Sequence, residues 1–479
     1  MTTPLLILAA VVAYIVLLFV VARLSGSRGG ASSSKQPRWL VTAAMVSASI
    51  TGVTFISLPG SVAQDSFSYL QMCLGFVVAY IVIAYWLVPL YYRYNVTSLY
   101  EYLDNRFGVN SHATGAWFFL ISKILGASLR LFVVCLVLQQ LLCDALGVPL
   151  WVTAMVFIAL AWFYTHRGGL SSVIWGDLIK TFCMFSCVAL SIVFVLRTLD
   201  ISFVEAMQQG AEQGFTRVFF LDDINNDRHF LKLFFSSILL IVATTGLDQD
   251  LMQRVLSSDS LRSAQRNMVM SSLFQSMLLI TLLVLGVVLH LYMGENDILG
   301  VKPDEVFAHV ASREGMPVIM SVLLVLGVVS ATFSAIGGSL NALATSFTID
   351  IMHARQRFEE SRFTKIYRTA LLSVAVLMVA LVVVFDSWCS GSSINTFFAM
   401  SSYTFGPLLG MFVFGVISKR KVRDKWVPVV AIVSPLICGL LDCYSEQLFD
   451  GYQFGFEIML LNAVFTMLGL LILSHPLRK

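Results

Sequence analysis

The sequence predicts an all-α polytopic membrane protein of about thirteen transmembrane helices, with a core of two five-helix halves in an inverted repeat. Of its 479 residues, 58% are hydrophobic and 12% are charged. The mean hydropathy of +0.83 is far from that of a soluble domain. Apolar runs long enough to cross a bilayer recur along the chain. One of them is rich in hydroxyl groups and contains Pro59 and Gly60.

The apolar runs give the positions of the expected spans. A hydrocarbon core needs about 20 apolar residues per helix. We expect spans near 4–24, 39–62, 68–92, 112–143, 149–165, 169–197, 230–247, 264–294, 317–348, 366–386, 392–418, 426–444 and 453–474. The first run lacks the basic segment and the small-residue exit of a signal peptide, so we expect it to be retained.

The charges of alternate connections support this count. One set of connections is basic and includes Arg28, Lys35, Arg106, Arg266, Lys365 and Arg478, while the other is acidic and includes Asp222, Asp223, Glu295, Asp304 and Glu446. Cytoplasmic loops carry the excess of Lys and Arg. The pattern therefore predicts a multi-pass protein of the inner (plasma) membrane with its N-terminus outside and its C-terminus in the cytoplasm. In the outer connection 198–229, residues 201–220 are expected to form an interfacial helix.

The spans divide into two halves of opposite orientation. Residues 39–197 and 230–418 each contain five spans, with an extra helix at 4–24 and two further helices within 426–474. Residues 1–479 then form a single transmembrane domain. Inverted repeats with a site at the midplane are typical of secondary transporters. A bundle without internal symmetry is the alternative.

The segment 45–60 is too polar to face lipid. It carries Ser47, Thr51 and Thr54 among its hydroxyl residues and then reaches Pro59 and Gly60. Such a segment is tolerated at membrane depth only where it lines a cavity or a packed interior. We therefore expect it to form half of a binding site.

Six segments, in order along the chain, resemble the sodium:solute symporter family. They are ITGVTFISLPG at 50–60, TSLYEYLDNRFG at 97–108, YTHRGGLSSVIWGDLIK at 164–180, DQDLMQR at 248–254, SLNALATSFTIDI at 339–351 and YTFGPLLGMFVFG at 403–415. The resemblance implies a divergent bacterial member with a leucine-transporter-like core. It also implies symport of a small organic solute by alternating access, coupled to a cation that is Na⁺ in the family.

The resemblance also implies a sodium site between the first and eighth core helices. Its oxygen ligands, which suit a hard cation, would be the carbonyls of Ser47, Ile50 and Ala331 and the hydroxyl of Ser334. Where the family usually has a second hydroxyl, this chain has Ala335. That departure leaves three outcomes: weak sodium binding, help from another group such as water or Ser339, or no sodium binding.

Asp177 and Lys180 lie three residues apart on the fifth core helix and therefore share a face. Asp177 matches the acidic residue of the family's W-x-D motif near the sodium exit route, although it could instead belong to a structural pair. Lys180 stands where the family commonly has an amide. Its ammonium could replace the coupling cation and make transport sodium-independent or proton-linked. Alternatively, it could be an interface lysine that snorkels to water.

Lys123 and Arg130 are seven residues apart on the third core helix, so they too share a face. If that face lines the cavity, the two cations favour a carboxylate-bearing or otherwise anionic solute. If it points elsewhere, they are partners in structural ion pairs. Both alternatives stay open, because one sequence does not set the rotation of a helix.

The end of the sixth core helix supplies the second polar half of the expected site. Thr244, Thr245 and Gly246 predict a break there, followed by Asp248 and Gln249. We expect the solute to contact these two residues together with Thr51, Thr54, Gln71, Lys123 and Arg130.

Other functional classes fit less well. The chain has no metalloprotease, nucleophile-elbow or phosphate-loop motif, so we expect no enzyme and no cofactor. The net charge of +3 does not indicate nucleic-acid binding. The expected partners are a small solute and membrane lipid. A channel would differ from a carrier in showing single-channel currents, and a solute sensor is disfavoured because no attached signalling domain is visible.

Overall fold

The computed structural model describes residues 2–26, 51–94, 99–248, 251–252, 255, 258, 260–298, 300–352, 354–388 and 391–475. These residues are largely helical, which confirms the all-α class. In addition, a two-residue strand β1 (Lys421–Val422) pairs antiparallel with β2 (Ser474–His475). This ribbon joins the connection before α16 to the end of α18, as numbered below.

In chain order the helices are α1 (Thr2–Gly26), α2 (Gly52–Asp65), α3 (Tyr69–Val82), α4 (Val88–Tyr94), α5 (Leu99–Arg106), α6 (Val109–Leu138), α7 (Leu150–Leu199), α8 (Phe203–Glu212), α9 (Phe230–Ile241), α10 (Leu261–Glu295), α11 (Val306–Ala311), α12 (Val318–Ser346), α13 (Ala354–Arg357), α14 (Glu360–Trp388), α15 (Ser393–Ile417), α16 (Val427–Cys443), α17 (Ser445–Leu448) and α18 (Ile458–Ile472). Single π-helical turns follow α3, α6, α9 and α12, at Ile83–Leu87, Gln139–Cys143, Val242–Gly246 and Phe347–Ile351.

The helices coincide with most of the predicted spans. Within the described residues, eight helices are long and apolar enough to cross a membrane, and four shorter apolar helices accompany them. The predicted span 392–418, for example, is α15, and the predicted span 230–247 is α9 with its π turn. The total of thirteen stays a prediction, since part of the second predicted span lies outside the described residues.

One predicted connection is wrong. The spans expected at 149–165 and 169–197 belong to a single continuous helix, α7. Gly168 and Gly169 lower helix propensity in this stretch, but no proline removes a backbone donor, so the hydrogen-bond ladder is not forced to end. His166 and Arg167, expected in a cytoplasmic loop, therefore lie within helical backbone.

The helix break near residue 50 lies earlier than Pro59. Thr51 is extended, with φ −111° and ψ 167°, and α2 begins at the next residue. The helix then continues through Pro59 to Asp65. Beside Pro59, Nε2 of the buried His290 lies 3.1 Å from the carbonyl oxygen of Gly60. The discontinuity thus falls at the start of α2, which faces the cavity described below.

The outer connection contains a shorter helix than predicted. Within the expected interfacial helix 201–220, only α8 is helical. Ser202 and Glu205 form a capping box at its start, and Gly214, with φ +79°, follows its end. The hydrogen bonds from the Ser202 backbone and side chain hold the pKa of the exposed Glu205 carboxyl below its usual value.

Candidate functional site

A cavity of about 130 Å³ with charged side chains in its wall lies where α2, α3, α6, α7, α9, α10, α12 and α15 meet. The sequence-predicted residues that line it are Thr51, Thr54, Lys123, Arg130, Asp248 and the coupling candidate Lys180. They come from the start of α2, the middle of α6 and α7, and the residues that follow α9. The fold therefore brings together residues that lie up to 197 positions apart in the chain.

The end of α9 is broken as expected. The π turn Val242–Gly246 closes the helix, and Tyr91 Oη donates a hydrogen bond of 3.3 Å to the Gly246 carbonyl. Asp248 follows, and its Oδ1 accepts a hydrogen bond of 3.2 Å from the backbone N–H of Leu251. Because π turns often mark functional sites, this break gives Asp248 a defined position at the cavity.

Lys123 and Asp248 form a buried ion pair in the cavity. Lys123 Nζ lies 2.7 Å from Asp248 Oδ2, and the two side chains are 9% and 8% exposed. This contact joins the third core helix, α6, to the broken end of the sixth, α9. Lys123 therefore lines the cavity, as in the first of the two alternatives that the sequence left open, and it is an ion-pair partner there.

The cavity carries an excess of positive charge. Arg130 lines it with its guanidinium carbon 5.4 Å from the centre of the Phe397 ring, a cation–π contact. Lys180 also lines it and is 2% exposed. Among the described lining residues there are three cations and one carboxylate. Water-poor clefts of one charge sign attract ligands of the other sign, so this cavity favours an anion.

The start of α2 packs directly against α12. A Cβ atom on Gly52 would lie 2.3 Å from Thr332 Oγ1, so only glycine allows this approach. Thr332 Oγ1 is buried and has no hydrogen-bond partner among the described residues. The chain near residue 51 and the chain near residue 332 therefore lie side by side.

The predicted sodium ligands are only partly described. Ser47 and Ile50 lie outside the described residues, and so do the side chains of Ser334 and Asp177. The predicted solute contact Gln249 also lies outside them. Ala331 is fully buried on α12. Ala335, which supplies no side-chain oxygen, lines the cavity one turn later together with Ser339. Next to Ala331, the buried Thr332 hydroxyl has no hydrogen-bond partner among the described residues, and a hydroxyl oxygen suits a hard cation.

Gln71 lies away from the cavity. Its side chain is fully buried, with Nε2 donating to the Arg228 carbonyl at 3.1 Å and Oε1 accepting from the Phe220 N–H at 3.3 Å. These contacts hold the outer connection against α3. The contact of Gln71 with solute stays a prediction that this geometry does not favour.

Gln275 on α10 lines the cavity, although the sequence analysis did not predict it as a site residue. It is 7% exposed, and its Oε1 has no hydrogen-bond partner among the described residues. An amide within the apolar run of a predicted span was the available signal. Aromatic side chains missed at the same cavity are Tyr69, Phe76, Tyr80, Phe397, Phe398 and Phe405.

Comparison with known proteins agrees with this architecture. The family model "Sodium:solute symporter family" matches residues 33–424. The sodium/sialic acid symporter NanT of Aliivibrio fischeri is 24% identical over 419 residues, covering 84% of this chain and 80% of that protein. The sodium/sialic acid symporter SiaT of Proteus mirabilis is 22% identical over 437 residues, covering 88% and 84%.

A solved structure gives the same result for the fold. A substrate-bound, outward-open Na⁺-coupled sialic acid symporter superposes with a TM-score of 0.78 at 17% identity, covering 98% of this chain and 99% of that one. This likeness confirms the predicted leucine-transporter-like fold. Because the family match covers most of the sequence, the chain belongs to the sodium:solute symporter family and is a multi-pass membrane transporter, not an enzyme, that couples symport of an organic solute to a cation.

Proposed function

We propose that the solute is a small carboxylate-bearing compound bound in the cavity with its anionic group at Arg130. The observation that carries this proposal is the excess of cations over carboxylates among the described lining residues. A guanidinium matches the two oxygens of a carboxylate with parallel hydrogen bonds. The two similar proteins NanT and SiaT are sialic acid symporters, and a sialic acid carries a carboxylate.

The ion pair makes Lys123 and Arg130 differ in the charge that they present to a solute. Asp248 already occupies Lys123 at 2.7 Å, so Lys123 is partly neutralised. Arg130 stacks on Phe397 through the face of its guanidinium, and the edge of a guanidinium carries the donors that match a carboxylate. Thr54 and Gln275 line the same cavity and add polar groups for the uncharged part of the solute.

The size of the cavity favours a small compound. Its 130 Å³ is below the range of about 300–1,000 Å³ that is usual for drug-sized ligands. A larger solute, such as a sialic acid, requires movement of the helices around the cavity. Such movement is part of alternating access, so larger carboxylates are accommodated with lower affinity or in another state of the cycle.

A binding screen tests this proposal. Purified protein is heated with small carboxylates, their amides, a sialic acid and neutral sugars, because a ligand of the folded state raises the apparent melting temperature. We expect carboxylates to stabilise the protein and their amides to have little effect. Arg130→Gln should weaken carboxylate binding by about 30- to 160-fold, as expected for a lost charge-assisted contact of about 2–3 kcal/mol. A preference for neutral sugars would overturn the proposal.

We propose Na⁺ as the coupling ion, held between the start of α2 and α12. The family match supports this, as does the close packing of Gly52 on Thr332. The carbonyls of Ser47, Ile50 and Ala331 and the hydroxyl of Ser334 would hold the ion, which would add to the contact between the two helices. Our proposed orientation, N-terminus outside, is supported by the charges of the connections.

One observation favours a second coupling mechanism. Lys180 is buried and lines the same cavity as Ala335, which lacks the usual hydroxyl. In this alternative the Lys180 ammonium takes the place of the cation, and transport is sodium-independent or linked to protons. The two mechanisms make opposite predictions for uptake into proteoliposomes.

Sodium titration of solute uptake separates them. If Na⁺ is the coupling ion, uptake rises steeply with sodium and Lys180→Gln leaves that dependence in place. If Lys180 replaces the ion, uptake follows an imposed proton gradient, and Lys180→Gln combined with Ala335→Ser introduces sodium dependence. Ala335→Ser alone is the matched control, because it restores the hydroxyl while keeping the lysine.

A further inference from the structure

A second cavity, of about 980 Å³, opens at the surface between α7, α12 and α14. Apolar side chains form most of it, including Ile158 from α7, Leu340 from α12 and Leu372 from α14. Ile158 and Leu340 are buried at 5% and 0% exposed, whereas Leu372 is 66% exposed. The recess thus has a packed floor and an open side, and we call it the α14 groove.

The α14 groove is polar at one end only. Thr364, Tyr367 and Arg368 lie at that end, near the start of α14, and Arg368 is the one charged side chain among the described residues that line the groove. From Leu371 to Ala380 every lining residue of α14 is apolar. The groove therefore presents a hydrocarbon-like surface that ends at a cation.

The same helix face carries a second cation. Lys365, Arg368, Leu372, Ala375 and Val379 follow one another at spacings of three and four residues, which places them along one stripe of the helix. Lys365 and Arg368 are exposed. An anion held by Arg368 would therefore lie within the field of two positive charges.

We propose that the α14 groove is a binding site for an anionic phospholipid, with an acyl chain in the apolar part and the phosphate on Arg368. Basic pockets between membrane helices bind anionic headgroups, and each Lys or Arg near the membrane surface contributes about 1 kcal/mol. No acidic side chain is among the described lining residues to oppose the phosphate.

The dimensions suit one leaflet. From Leu372 to Ala380 the helix rises by about 12 Å, at 1.5 Å per residue. One leaflet contributes about half of a hydrocarbon core of about 30 Å. The apolar part of the groove therefore spans most of one leaflet and places Arg368 near the headgroup level of that leaflet.

The site also lies against the transport helix α12. Leu340 in the groove floor directly follows Ser339, which lines the central cavity. Next to Leu340, Asn341 Oδ1 accepts a hydrogen bond of 3.3 Å from Tyr367 Oη of the groove. A lipid in the groove thus contacts a face of α12 next to the one that lines the solute cavity, although the proposal does not depend on the identity of that solute.

Native mass spectrometry of the full-length protein in detergent, titrated with phosphatidylglycerol or phosphatidylcholine, tests the site. We expect preferential binding of phosphatidylglycerol. Arg368→Gln should reduce that binding about fivefold, which corresponds to about 1 kcal/mol. Ala375→Trp should reduce binding of both lipids, because the indole fills the apolar part of the groove.

Two matched variants control for general effects. Arg362→Gln removes an exposed charge from the same helix but outside the groove, and Leu377→Trp adds an indole at a 49% exposed position that does not line it. Both should bind phosphatidylglycerol as the unmodified protein does. Equal binding of the two lipids, a variant in the groove without effect, or a control variant with the same effect would each overturn the proposal.

Discussion

Lys232 and Lys123 differ in how completely their hydrogen-bond donors are used. In the outer layer, Lys232 Nζ donates to the carbonyls of Gln453 at 2.8 Å and Asn225 at 3.2 Å. It also lies 3.8 Å from Glu457 Oε1 and 3.6 Å from the centre of the Tyr452 ring. In the cavity, by contrast, the hydrogen bond of Lys123 among the described residues goes to Asp248, and its other contact is the Phe119 ring.

An ammonium has three donors, so the difference separates a structural charge from one that can respond to a ligand. Lys232 lies on α9, and its partners come from the outer connection and from the segment before α18. These partners occupy its donors. Lys123 faces a cavity and keeps donors for water or solute. A charged side chain that lines a cavity and has one hydrogen-bond partner among the described residues is therefore a better indicator of the solute site than burial alone.

The largest expected effect is from Lys123→Met. This change removes the ammonium that faces the Asp248 carboxylate at 2.7 Å, in a position where that side chain is 8% exposed. Removing one member of a buried ion pair typically costs about 3–5 kcal/mol of stability. We expect a sharp fall in the melting temperature of the purified protein and loss of uptake.

The double variant Lys123→Met with Asp248→Leu is the control for that prediction. Replacing both members of a buried pair by apolar residues is often neutral for stability. The double variant should therefore recover most of the melting temperature. A double variant as unstable as the single one would show that Asp248 is not the group left uncompensated.

Lys232→Met should have a smaller effect on stability and almost none on the solute site. It removes a donor from the carbonyls of Asn225 and Gln453, but these residues are half-buried and exposed, so water can replace the ammonium. Glu457 keeps its hydrogen bonds from Tyr452 and Gly455. We expect a lower melting temperature with an unchanged dissociation constant for the carboxylate. A large change in that constant would contradict the division between the two lysines.

Asp248→Asn should tighten binding of an anionic solute by about tenfold, or 1.4 kcal/mol. The change removes the one negative charge among the described lining residues and leaves Lys123 uncompensated. Calorimetric titration of the purified variant measures the constant, and a neutral amide analogue serves as the control because its affinity should stay the same. Weaker carboxylate binding by the variant would mean that Asp248 itself contacts the solute.

The smallest expected effects on solute binding are from substitutions of Gln275, which lines the cavity, and Gln71, which contacts the outer connection. Gln275→Leu should weaken solute binding by about fivefold, in line with about 1 kcal/mol for one neutral hydrogen bond. Gln71→Leu, the matched control, should change solute affinity by less than about twofold. It should instead expose the outer connection to proteolysis, because it loses the bonds to Phe220 and Arg228.

Much of the fold could be predicted because apolar run length and loop charge are local properties. The position of α15 and the break after Gly246 are examples. The connection expected at His166 and Arg167 could not be predicted correctly, because a pair of glycines is compatible with either a turn or a continuous helix. The position of a side chain could not be predicted from its local sequence either. Gln71 and Gln275 are both single amides in apolar stretches, and of these two Gln275 lines the cavity.

The sequence by itself determined that this is a polytopic helical membrane protein with polar residues at membrane depth, because backbone groups in lipid must be paired within helices and polar residues at that depth are rare. The tertiary structure decided which of those polar residues meet. Lys123 and Asp248 are 125 positions apart and form a contact of 2.7 Å, whereas Gln71 bonds to the outer connection. The physical reason is that helix rotation and packing depend on contacts between distant segments, and composition along a single segment does not contain them.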